Sequence, residues 1–308
     1  MDRRKFLSNT VPAAVTLPAL LNGFSFTAFG SAPDNALARL FGPEATNDHV
    51  LVLVQMAGGN DGLNMVIPLD MYANYYNARQ NVAIQQSRVL RLDGTDRSGL
   101  HPAMTDMQNM YNDGKINIVQ SVGYANQNFS HFRSTDIWMT GDSSNNRFNR
   151  EKRGWLGRYL ETEYPGYPDA YPNADMPDPL AIQISNMPTV EVQGSIFSMG
   201  LSITDPENVY TFTNPFSDYP LNSVHANKEL RFLRVVSEKT KIYSDIIRAA
   251  YRRAANLAAY PDNSLARQLQ IVARLIQGGL KTRVYTVTVG GFDTHKRQVN
   301  ASDTSTGN

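Results

Sequence analysis

HVLVLVQM at residues 49–56, followed at once by AGGNDGLN at 57–64, decides the fold class. A run of Val and Leu without polar alternation suits a strand covered on both faces, as in a parallel sheet. The run predicts the first central strand. The glycines after it allow a tight turn with close backbone approach, and Asp61 sets a carboxylate at the sheet's edge. Outward from this stretch, LAIQIS (180–185) and VYTVTV (284–289) supply two more runs of β-forming residues, and residues 116–122 a fourth. An amphipathic stretch precedes the fourth, from Leu100-His101-Pro102 to Asn112, with Met104, Met107, Met110 and Tyr111 on one face and Asp113-Gly114 closing it. Two helices are expected between the last two strands, at about 226–260 and at 264–277, the second stopped by Gly278-Gly279. Strands separated by helices predict an α/β fold, a mostly parallel sheet flanked by helices. Two stretches fall outside this rhythm: 164–179, where five prolines alternate with tyrosines and acids, and the polar 300–308, both read as loops.

The chain of 308 residues, 42% hydrophobic and 19% charged, has the profile of a globular protein and is read as one domain over 39–308. Twenty-nine basic and 28 acidic side chains leave a net charge of +1, which gives no field to collect nucleic acid. The absence of cysteine excludes disulfides, zinc thiolates and thiol nucleophiles. Arg3-Arg4-Lys5-Phe6-Leu7 is a basic start before an apolar segment at 11–21, which is too short to span a hydrocarbon layer about 30 Å thick. It reads as a twin-arginine signal peptide covering 1–38, with Ala36-Leu37-Ala38 as the cleavage segment. The mature chain is then expected in the periplasm or outside the cell, delivered by the twin-arginine export machinery and without a membrane anchor.

In parallel α/β sheets, ligands gather beyond the carboxyl ends of the strands. Three of the four expected strands end in glycine followed by residues able to bind metal or phosphate. Asp61 follows the first; Asn126, Asn128, Ser130, His131 and Arg133 follow Gly123; Asp293 and His295 follow Gly290-Gly291. A carboxylate and an imidazole together suit a divalent metal, so Asp61, Asp293 and His295 are candidate ligands, with a turn or cap role the alternative for Asp61. Asn60, Asn64 and Asn128 are candidates to orient the oxygens of an anion, or to make turns, and Arg133 to pair with one. Ser130 and His131 are candidate catalytic residues, or an N-cap with a packing histidine. A dinucleotide fingerprint fails because Asp61 would stand inside the glycine turn, facing the pyrophosphate. Neither a Gly-x-Ser-x-Gly elbow nor a Walker lysine motif occurs in the chain.

The twin-arginine start, VLVLVQMAGGNDGLNMVIP (50–68), LHPAM (100–104), VGYANQNFSHFRSTDIWMTG (122–141), GWLGRYL (154–160) and GGFDTH (290–295) occur in this order. Together they resemble the exported bacterial family catalogued as domain of unknown function 1501. The resemblance implies an alkaline phosphatase-like or sulfatase-like fold. It also implies a divalent metal (Zn, Ca, Mg or Mn) held by Asp61, Asp293 and His295, and hydrolysis of a phosphate or sulfate ester, small or part of a polysaccharide. The family continues past its Asp-Thr-His motif with further segments that complete the metal shell. Nothing after His295 resembles them, so the fold is expected to be incomplete at its C-terminus. A non-catalytic cell-envelope protein that binds a polysaccharide or a protein partner, and an inactive fragment, are the alternative readings.

Overall fold

The computed structural model describes residues 49–144, 151–209, 238–295 and 298–299 in full, and the backbone alone of 18–21, 24–27, 224–237, 300 and 303–307. The Arg3-Arg4 pair, the cleavage segment and Asn308 lie outside the described residues. Along the chain, β1 (Leu51–Met56) is followed by α1 (Gly62–Met65), β2 (Val66–Pro68), α2 (Tyr72–Ala78), β3 (Leu90–Leu92), β4 (Thr95–Leu100), α3 (Thr105–Asn112), α4 (His131–Thr140) and α5 (Trp155–Glu163). Then come β5 (Ala181–Ile184), β6 (Gly200–Ile203), α6 (Val224–Arg253), α7 (Ser264–Gln277) and β7 (Val284–Val289).

The main sheet has four strands in the order β1-β7-β5-β6, and every pairing is parallel. Alternate residues of each strand serve opposite faces, as the pleat requires. Ile182, Ile184, Ile203, Tyr285 and Val287 pack with Ile247 and Ala250 of α6 and with Val272 and Leu275 of α7. Their neighbours Ala181 and Val284 pack instead with Leu156 and Leu160 of α5, Tyr171, Met176 and Val192. The α/β class and the flanking helices expected from the apolar runs are therefore present. The α7 helix begins where Asn263 accepts a hydrogen bond from the Ala266 N–H at 2.8 Å, a side-chain cap of the usual kind, and ends at Gln277 before the two glycines.

Several elements depart from expectation. Among the described residues β1 has one neighbour, β7, and is an edge strand rather than a central one; Val54 and Met56 are 44% and 38% exposed. An apolar run records what a strand can bury and not how many neighbours it finds. Residues 116–122 form no strand, and Val119 and Val122 are exposed. The backbone at Ser121 has a positive φ of 58°, which an extended strand does not accommodate. Leu100 closes β4 instead of opening a helix, because Pro102 disfavours helical backbone at His101. No residue of α3 is buried, so its methionine face is a surface. The α6 helix stops at Arg253 instead of continuing to 260.

The 164–179 stretch is irregular, as expected, and lays Tyr171 and Met176 into the α5 side of the core. Backbone ribbons pair Pro18–Leu21 with Phe24–Thr27 and Val299–Asn300 with Asp303–Gly307; the latter lies in a segment expected as a loop. No helix among the described residues is long and apolar enough to cross a membrane.

A second, antiparallel sheet of order β2-β4-β3 has no counterpart among the strands expected from the sequence. Two of its strands have three residues each, too few for a periodic signal. It shelters Ile67, Leu69, Tyr75, Ala83, Ile84 and Val89. This unit follows the turn after β1 directly and builds one wall of the candidate site.

Candidate functional site

Because β1 and β7 are adjacent and parallel, with Met56 opposite Val289, their two following loops leave the sheet side by side. The Ala57 N–H donates to the Val289 carbonyl at 2.8 Å and carries the pairing one residue past the strands. Gly58 and Gly59 then turn the chain with φ of 101° and 80°, a region that disfavours residues with a Cβ. A Cβ on Gly58 would sit 3.0 Å from the Asp293 nitrogen, and one on Gly59 only 2.5 Å from His131 Cε1. The glycines thus leave room for both groups, the reason this turn cannot carry larger residues.

Beyond the turn lies a cavity of about 760 Å3, lined by Asn60, Asp61, Asn64, His101, His131, Asp293 and His295 among others. In its lining two imidazoles meet one carboxylate oxygen. His131 Nε2 lies 3.3 Å and His295 Nε2 3.0 Å from Asp293 Oδ1. The two rings meet edge to face, with centroids 6.3 Å apart. His295 has a φ of 46°, left-handed backbone that is uncommon outside glycine and that gathers at functional sites. Asp293 and His131 are roughly half exposed, so the group is open to a ligand.

Asp61 is occupied differently. Its Oδ1 accepts from the Asn64 N–H at 3.2 Å as the cap of α1, while Oδ2 receives the Arg79 guanidinium and the Gln298 amide. The expected trio of Asp61, Asp293 and His295 therefore lines one cavity, but Asp61 is already paired with a cation. Asn64 is buried and works as a clamp: its amide donates to the Val82 carbonyl at 2.7 Å, and its oxygen accepts from Tyr75 OH at 2.7 Å. Burial foremost raises the Tyr75 phenol above its usual range, which keeps it a donor. Asn60 donates to Met65 Sδ at 3.5 Å.

No protein-family model, curated protein or solved structure matches this chain. The site is accordingly read from its own geometry. Ser130, Asn128 and Arg133 do not line the cavity. Ser130 is the N-cap of α4, facing the Arg133 N–H at 3.5 Å, and Asn128 accepts from the Ser130 N–H at 2.8 Å. Arg133 donates to the carbonyls of Asp142 and Ser144 at 3.0 and 2.6 Å, which ties the first turn of α4 to the loop that follows the helix. These three residues place His131 at the cavity and do not reach the cavity themselves. Among the described residues no three or more His, Asp and Glu side chains stand ready around a point that would hold a metal ion. The two imidazoles face the carboxylate, not a shared centre.

From the sequence His101 is expected only as the start of a helix, yet it lines the cavity. Its Nδ1 accepts from the Ala103 N–H at 3.2 Å, so the neutral ring carries its proton on Nε2. Burial, and after it the Arg88 charge, hold its pKa below the ordinary 6.5, while Asp61 opposes them. Between that lowered value and 6.5 the unfolded chain binds more protons than the folded one, so stability falls as pH drops through this window. A His101→Gln variant is expected to lose less stability than the parent between about pH 7 and about pH 5, read from urea midpoints. Equal losses in the two proteins would show that His101 has no part in the acid response.

Proposed function

We propose that this chain is an exported, metal-dependent hydrolase of phosphate or sulfate esters, working in the cavity beyond β1 and β7. The observation that carries the reading is the convergence of His131 and His295 on Asp293 at adjoining parallel strand ends. Two imidazoles and a carboxylate are a donor set for a borderline divalent ion such as zinc or manganese. A bound metal would supply Lewis acidity toward an ester oxygen and a lowered pKa for water. In this reading His131, Asp293 and His295 would hold the ion, with Asp293 the carboxylate that both imidazoles face. His101, neutral at pH 7, is the lining group suited to hydrogen-bond a leaving-group oxygen. The motif order that resembles the domain of unknown function 1501 family, and the Arg3-Arg4 start, support export and an alkaline phosphatase-like fold.

The test is elemental analysis of the purified chain after equilibration with zinc or manganese, beside hydrolysis of 4-nitrophenyl phosphate and 4-nitrophenyl sulfate. About one metal per chain and turnover of either ester are expected. Absence of both would overturn the reading. A second reading, a non-catalytic envelope protein that binds a polysaccharide or a protein partner through these loops, is favoured by one observation. Each cavity carboxylate already has partners, Asp61 with Arg79 and Asp293 with two histidines.

A further inference from the structure

Besides the histidine–carboxylate group and the polar Asn60, Asp61, Asn64, His101, Thr294 and Gln298, the cavity has a set of apolar lining side chains. Met56, Met65, Val82, Ile84, Met104 and Phe292 line it, drawn from the end of β1, the unit built on the antiparallel sheet and the loop after β7. This apolar wall is held in place from behind. The Val82 carbonyl accepts from buried Asn64, and the Ile84 N–H donates to Tyr75 OH at 2.7 Å. Neither residue can swing away without breaking one of these hydrogen bonds. The three methionines add unbranched, adaptable side chains that fit an irregular apolar group.

The charges are as informative. No lysine or arginine lines the cavity among the described residues, and Asp61 and Asp293 do. The volume of about 760 Å3 falls in the usual small-molecule range of roughly 300 to 1,000 Å3, of which a phosphate or sulfate headgroup alone fills a small part.

We infer that the ligand is amphiphilic: an ester whose alcohol part is an alkyl or aryl group, seated against Met65, Val82, Ile84 and Met104, with its headgroup toward His131, Asp293 and His295. The inference rests on the ester-hydrolase reading for the identity of the headgroup and on the apolar wall for the alcohol.

The test is calorimetric binding of n-alkyl phosphates from butyl to octyl, with zinc present and absent. Affinity is expected to rise about threefold to fourfold for each added methylene, the gain for apolar burial. Val82→Thr and Met104→Gln, both close in size to the parent residues, should flatten that rise while leaving the thermal melt nearly unchanged. Affinity independent of chain length, or a rise that both variants leave intact, would overturn the inference. The two proposals separate cleanly. A chain-length series that persists without metal binding or turnover keeps the apolar site and removes the hydrolase, whereas turnover of 4-nitrophenyl phosphate with no chain-length dependence does the opposite.

Discussion

Gly154→Ala is expected to lower the melting temperature by about 6 to 12 °C, a large stability effect for a single added methyl group. A Cβ at Gly154 would stand 2.0 Å from the Glu191 carbonyl oxygen and 2.1 Å from the Val190 oxygen. Both are backbone atoms, so no side chain can rotate to make room. The Gly154 N–H also donates to the Gln193 carbonyl at 2.9 Å, which pins the start of α5 to 190–193. One turn on, a Cβ on Gly157 would make the same approach, 2.1 Å from the Gln193 oxygen. The added methyl would push α5 off this seat and loosen fully buried Leu156 and Leu160. Over-packing of this kind costs about 3 kcal/mol, the upper end of the usual range. Gly62→Ala is the control, since nothing lies within 4 Å of the Cβ that it would add. Circular dichroism melts of the two variants make the comparison, and a shift below about 2 °C for Gly154→Ala would show that the contact yields.

How much of this was legible depended on length and locality. The runs that became β1, β5 and β7 exceed the reach of a chance pattern, and the carboxyl ends of parallel strands gather ligands for general reasons, so Asp293 and His295 could be named in advance. A helical stretch at 264–277 with two glycines after it marked α7 to the residue. What failed were features set by distant partners. Asp61 meets Gln298, 237 residues away, and nothing local in AGGNDGLN announces Arg79 or Gln298 as its partners. Asn64 reads as a turn residue until Tyr75 and Val82 close around it. His101 had a signal, the Leu-His-Pro order that keeps a histidine off the helix, but its place on the cavity wall depends on how the antiparallel sheet folds back. The short strands of that sheet were silent because three residues cannot display a period of two.

Asp293→Asn and Asp61→Ala are expected to fail in opposite ways. Asp293 is roughly half exposed, and its carboxylate is the negative partner that both imidazoles share. Replacing it with a neutral amide of the same shape leaves the loop after β7 largely unchanged but removes the charged donor from the proposed ligand set. Zinc or manganese affinity should fall by more than the roughly 10- to 100-fold that outer-shell changes cost, with the melting temperature of the metal-free protein nearly constant. Asp61 is less exposed, at 22% of its side chain, and holds Arg79, 23% exposed, whose Nε is buried without a partner. Asp61→Ala removes both the cap of α1 and the counter-charge of that guanidinium, a loss of about 2 kcal/mol. The melt should drop while metal affinity changes little. Calorimetric metal titration and thermal melts on both variants decide the matter. If Asp61→Ala empties the metal site and Asp293→Asn does not, then the Arg79 pair is displaced when metal binds and the two-histidine cluster is a hydrogen-bonded brace between loops. The distinction is sharp because each carboxylate already has a different set of partners, and a metal can take the place of only those it outcompetes.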